Sequence, residues 1–243
     1  MEIFRVKKDI SFMKYSRLSA VLSIVIFVLS ASFLSTKGLN LGIDFTGGTI
    51  MEVGYPEGVN VQDIRDTLKS INLEDSQVQN FGNETDVLIR LPIKEGQAIA
   101  DLSEKVSAAL RAKNSSMQIR RIESVGAQVG DELYENGALA ILFVCLGIVL
   151  YLAMRFEWRF AIAAIVANMH DVVIILGFFS FFQWEFNLTV LAAVLAVLGY
   201  SVNESVVVFD RVRENFRKAS MRNSKVSEIM NNAITRTMSR TIM

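Results

Sequence analysis

GALAILFVCLGIVLYLAM (residues 137–154), FAIAAIVANMHDVVIILGFFSFF (160–182) and LTVLAAVLAVLGYSVNESVVVF (188–209) follow one another with only RFEWR and QWEFN between them. A helix crossing the hydrocarbon core needs about 20 mostly apolar residues. Three such runs, joined by turns this short, predict tight transmembrane hairpins. LSAVLSIVIFVLSASFL (18–34) supplies a fourth run near the N-terminus. Its flank, Ser35-Thr36-Lys37, gives no small-residue cleavage pattern, so the segment is expected to be a retained anchor.

Composition agrees. Of 243 residues 51% are hydrophobic and 21% charged, and the apolar ones lie in blocks. Net charge is zero, which gives no global attraction for nucleic acid. One cysteine, Cys145, excludes an internal disulfide, and one histidine makes a His/Cys zinc site untenable.

Lys and Arg fix an orientation. Arg5, Lys7, Lys8, Lys14 and Arg17 precede the first run, Arg155 and Arg159 lie between the second and third, and Arg211, Arg213, Arg217, Lys218, Arg222 and Lys225 follow the fourth. QWEFN has none. Four spans then place 1–17 and 210–243 in the cytoplasm and 37–136 outside. Trp158 and Trp184 sit at turns, where interfacial aromatics belong.

Residues 37–130 read as an inserted α+β domain with its linker. GTIMEVGY (48–55) has a strand pattern, and Val61, Ile64, Leu68 and Ile71 share one helical face. Residues 76–81 and 86–91 alternate as two strands about a Gly82-Asn83 turn. Residues 99–111 form a second amphipathic helix and 118–125 a last strand. The order β-α-β-β-α-β predicts a ferredoxin-like arrangement, which carries no function by itself. GIDFTGG (42–48) lacks the Gly-Lys-Ser/Thr ending of a phosphate loop, so it predicts a tight turn with Asp44 as its cap.

Ionisable groups at bilayer depth cost about 2.5–3.5 kcal/mol each on insertion scales, so they call for a role. Asn168, His170 and Asp171 occupy the third span, with Asp171 about 16 Å from either end. Asn168 and Asp171 share a face, from which His170 is rotated by about 100°. The fourth span carries Asn203 and Glu204. Ala192, Ala196, Gly199 and Asn203 form a stripe of small side chains that admits a neighbouring helix. Two readings stand: a proton path, since desolvation favours the protonated carboxyl, or polar pairs that hold helices together. DRVRENFRKAS (210–220) reads as an interfacial or cytoplasmic helix.

GIDFTGG, MHDVVIILG (169–177) and GYSVNESVVVFDRVRENFR (199–217) together resemble the SecF-type members of the SecD/SecF protein-export branch of the resistance–nodulation–division superfamily, over residues 17–243. The resemblance implies an all-α membrane bundle with an inserted periplasmic domain in the bacterial inner membrane. It implies SecD, the SecYEG translocon, a YajC-like accessory subunit and a translocating unfolded polypeptide as partners. The work is transport driven by the proton motive force rather than enzymatic turnover, without cofactor or metal. The family's proton-carrying carboxylate, usually Asp, falls on Glu204. Its arginine falls on Arg240, and a recurrent His-Asp falls on His170 and Asp171. Gly42, Asp44, Gly47, Gly48, Asp210 and Arg211 match structural motif positions. The family has six spans, so a fifth is expected to begin at Met243, and this stretch alone is not expected to complete a transport cycle. The alternatives are small-molecule efflux by the same superfamily and an intramembrane protease that pairs Asp171 with Glu204. The single outer domain, the missing His-Glu-x-x-His and the missing Gly-x-Ser-x-Gly weigh against them.

Overall fold

The structure, a computed structural model, describes residues 9–93, 99–218, 221 and 223–242. Arg5, Lys7, Lys8, Arg222 and Met243, used above for orientation and chain matching, lie outside the described residues. The chain is mostly helical and includes a four-stranded sheet, and it groups into two units, Leu41–Leu139 and a helical unit made of Met1–Asn40 and Ala140–Met243.

In the helical unit, α1 (Ser16–Lys37) ends where Gly38 turns to φ 66°, a conformation glycine adopts without a Cβ penalty. The domain opens with one turn of helix, α2 (Ile43–Thr46). Strand β1 (Gly48–Gly54), α3 (Val61–Ser70), β2 (Gln77–Phe81), β3 (Asn83–Leu91), α4 (Ile99–Lys113) and β4 (Gln118–Val125) follow. The order of strands across the sheet is β2-β3-β1-β4, antiparallel at every pairing. Met51 lies opposite Ile89 on one side and Ile122 on the other. That register sends Met51, Val53, Val87, Ile89 and Leu91 to one face, where they are buried with Ile64 and Leu68 of α3 and Leu102, Val106 and Leu110 of α4. Each such side chain stabilises the domain by about 1.5–3 kcal/mol relative to exposure. Helix α3 starts where the Asn60 side chain accepts from Gln62 N–H at 2.9 Å.

Two elements begin earlier than the sequence reading placed them. Strand β3 begins at Asn83, just after a single left-handed residue, Gly82 (φ 74°). The polar stretch 83–85 shows no apolar alternation. Helix α5 (Ala127–Arg155) begins ten residues ahead of the apolar run at 137, because AQVGDELYEN (127–136) is helix-compatible though polar. Its residues to Leu139 group with the domain and the remainder with the helical unit.

Helices α6 (Trp158–Phe182), α7 (Leu188–Arg217) and α8 (Val226–Ile242) complete the helical unit. The charged segment after Phe209 is no separate interfacial helix: α7 runs through it unbroken to Arg217. Glu214 pairs with Arg211 at i,i+3 and with Lys218 at i,i+4 (2.5 and 2.9 Å), which supports the exposed turns. Among the described residues four helices are long and apolar enough to cross a membrane: Phe12–Lys37, Ala127–Arg155, Trp158–Phe182 and Leu188–Arg217.

Candidate functional site

Helices α1 and α6 run parallel with one register. Ser23 meets His170, the Cβ absent from Gly177 would strike Ser30, and Ser180 Oγ donates to the Phe33 carbonyl at 2.8 Å. All three pairs are 147 residues apart: 170 − 23, 177 − 30 and 180 − 33. Small residues seven apart at a helix crossing let the two backbones approach closely.

That register places a polar chain across three helices. Ser23 Oγ lies 2.5 Å from His170 Nε2, and His170 Nδ1 lies 3.3 Å from Asp171 Oδ1. Ser201 Oγ of α7 donates to Asp171 Oδ2 at 2.5 Å. The Phe27 ring stacks on the imidazole with centroids 5.8 Å apart. With the Nδ1 proton directed to Asp171, Nε2 accepts the Ser23 hydroxyl proton; a second ring proton reverses that bond.

A second cluster lies on α7 and α8. Helix α8 returns antiparallel beside α7: Asn215 Nδ2 donates to Asn232 Oδ1 at 3.0 Å, and Val212, Ile229 and Ala233 are buried together. The N-terminal segment is tied to the same helix, through Ile10 N to Thr235 (3.0 Å) and Met13 N to Asn231 (2.9 Å). This hairpin brings Thr241 Oγ1 to Glu204 Oε2 at 2.7 Å and Arg240 Nη2 to Asn203 Oδ1 at 3.5 Å. Glu204 is half-buried and Asn203 exposed.

The structure thus sorts the candidate residues into two groups, His170 with Asp171 and Asn203 with Glu204 and Arg240. The His170–Asp171 contact is one of the polar pairs the sequence left open. Asn168, on the same face as Asp171, is buried and donates to the Ala164 carbonyl of its own helix at 2.8 Å. The carboxylates of Asp171 and Glu204 have different hydroxyl partners, Ser201 and Thr241. Sequence reasoning missed Ser23, Ser201 and Thr241. The recurrence of Ser23 and Ser30 seven residues apart in an apolar helix was the available signal.

Asp210 is ion-paired with Arg155 at the end of α5, beside the rings of Phe156, Phe160 and Phe209. In the domain, the glycine segment is fixed by close approach. A Cβ on Gly47 (φ 68°) would meet Ile93 and Ala127, and one on Gly48 (φ 130°) would lie 2.8 Å from the Leu91 carbonyl. Gly42, not Asp44, occupies the N-cap of α2; Asp44 sits in its first turn, where the helix dipole favours a carboxylate. Ala192, Ala196, Gly199 and Asn203 are all exposed, with Arg240 of α8 reaching the stripe at Asn203.

Residues 105–243 match the family described as protein export membrane protein SecD/SecF, C-terminal, and residues 32–55 match the SecD/SecF GG motif. The protein translocase subunit SecF of Vibrio alginolyticus is 46% identical over the whole chain, which covers 76% of that protein. SecF of Pseudomonas aeruginosa is 42% identical over 96% of the chain and 75% of its own length. The crystal structure of SecDF from Thermus thermophilus, a translocon-associated membrane protein, superposes with a TM-score of 0.84 at 32% identity over 99% of this chain. A second SecDF structure, in a super-membrane-facing form, gives 0.67 at 31% identity. The chain spans about a third of those SecDF chains (32 and 33%). Relatives that carry the translocase name leave the efflux reading with no observation in its favour.

Proposed function

The chain belongs to the SecD/SecF family of protein export membrane proteins, and on that premise we propose that it is the SecF-type auxiliary subunit of the Sec translocase, coupling the proton motive force to the outward movement of unfolded polypeptide. It is a multi-pass inner-membrane protein. In this reading both ends face the cytoplasm, the domain is a periplasmic ferredoxin-like unit, and SecD, SecYEG and a YajC-like subunit are its partners. The strand order β2-β3-β1-β4 supports the ferredoxin-like assignment, and the exposed Ala192-Ala196-Gly199-Asn203 stripe supports a partner span packing on α7.

One observation carries the proposal. Glu204 stands in an apolar helix with a neutral hydroxyl, that of Thr241, on its carboxylate, while Arg240 lies one residue away on the same α8 turn and contacts Asn203. In this reading the Glu204 carboxyl takes up and releases a proton, and Arg240 is the cation that turns toward it during the cycle. One charge moved through 100 mV releases about 2.3 kcal/mol, enough to bias two packed states of a helix hairpin. Asp171 and His170 serve as a second station.

The test is export of a secreted precursor in cells depleted of their own SecF and supplied with the full-length protein. Glu204→Gln is expected to lower export to the level seen when the proton gradient is collapsed, and Glu204→Asp to retain it. Gradient-dependent export by the Gln variant equal to that of the parent overturns the proposal.

A further inference from the structure

The small pair Ser30 and Gly177 does more than bring α1 and α6 together. Because neither residue rises above the crossing, the larger side chains beside them, Ile26, Leu29 and Phe33 on α1 and Phe178 and Phe181 on α6, stand as walls around an open trough of about 340 Å³. Leu29, Phe178 and Phe181 are each about half exposed, so the trough opens outward from the bundle. It is almost wholly apolar and lies within two membrane-crossing helices. A second helix, about 10 Å across, cannot enter a space of this size, but a single hydrocarbon chain can.

One end of the trough is charged. Lys37 lies a turn beyond Phe33, with Nζ 5.6 Å from the Phe33 ring centroid and 5.5 Å from that of Phe181, the two rings that close that end. The ammonium also lies 3.5 Å from the Phe181 carbonyl. Among the described residues no carboxylate forms an ion pair with it. Trp184, stacked on Phe182 at 4.6 Å, marks the same end as headgroup depth. A cation without an acidic partner, held by aromatic rings over the mouth of an apolar trough, is complementary to a molecule with a hydrocarbon tail and an anionic head.

We infer that the α1–α6 trough is a binding site for an anionic phospholipid, with one acyl chain lying along Leu29, Phe33 and Phe178 and its phosphate on Lys37. This site is independent of the proton-coupled reading, since it uses neither Glu204 nor His170. Its place on the α1–α6 crossing means that an occupied site braces the helix pair that carries the Ser23–His170 contact.

The experiment is native mass spectrometry of the full chain, delipidated in detergent and titrated with phosphatidylglycerol and with phosphatidylcholine of the same chain length. Retention of one phosphatidylglycerol with a preference of about fivefold over phosphatidylcholine is expected, the factor a single surface lysine gives. Lys37→Gln should erase the preference while total lipid retention persists, and Lys37→Arg should keep it. Leu29→Trp, which fills the trough, should lose retention of both lipids, with helicity checked by circular dichroism. Should that variant unfold, Ile26→Trp takes its place. Glycerol phosphate, a head without tails, should not compete. Equal retention of the two lipids by the parent, an unchanged preference in Lys37→Gln, or displacement by glycerol phosphate each overturns the inference.

Discussion

The hydroxyl of Ser23 on α1 lies 2.5 Å from Nε2 of His170 on α6, although 147 residues separate them. This contact exists because Ser30 and Gly177, one heptad further along, let the helices close to backbone distance. The polar chain through α1, α6 and α7 is therefore a product of helix packing, and its chemistry depends on a crossing made of small residues.

That dependence is measurable at Gly177. A Cβ there would collide with Ser30 down to its Cα, so Gly177→Ala must push the helices apart. A loss of about 1–3 kcal/mol is expected, the usual cost of overpacking. Denaturant unfolding in mixed micelles checks it, and Ser30→Gly added to Gly177→Ala should recover only part of the loss because the Cα remains.

Ser201 and Asp171 couple α7 to α6 through a 2.5 Å hydrogen bond. A double-mutant cycle of Ser201→Ala and Asp171→Asn should return an interaction of about 1 kcal/mol, in the range of interhelical hydrogen bonds within bilayers. Additive single effects would mean that the bond does not hold the two helices.

Much of this architecture was legible from the chain alone, for physical reasons that differ by element. The spans declared themselves because runs such as 160–182 are apolar on nearly every side over the length a bilayer needs. Glu204 stood out because a carboxyl inside such a run is costly. The partners of these residues were not legible. Ser23 is an ordinary helix serine until the parallel register of α1 and α6 is known, and Thr241 reaches Glu204 only because α8 folds back along α7. The polar start of α5 is not legible either, because AQVGDELYEN carries no sustained apolar periodicity to mark it as helix.

In the domain, Gly48 holds φ 130° with the Leu91 carbonyl where a side chain would be. Gly48→Ala should cost about 1–3 kcal/mol through backbone strain alone. Limited proteolysis and near-ultraviolet circular dichroism of the full chain should report loosening of β1, whereas Gly82→Ala, at a position with open space around it, should cost less.

Tyr55 offers a pH test. It is buried in the domain core, and burial pushes its phenol above the ordinary value by disfavouring the anion. A pKa raised by folding contributes stability that is fully present below the unfolded value, about pH 10, and is lost as pH rises through the folded one. Hydrogen exchange of β1 amides should therefore accelerate above about pH 10 in the parent, and by less in Tyr55→Phe.

The central claim is that Glu204 changes protonation state as the protein works. Infrared difference spectroscopy of the full-length protein assembled with SecD in proteoliposomes, with and without an imposed proton gradient, observes this directly. The account predicts a carboxylic-acid carbonyl band that changes with the gradient and is absent in Glu204→Gln. A band that stays constant while the same vesicles stimulate export would contradict it.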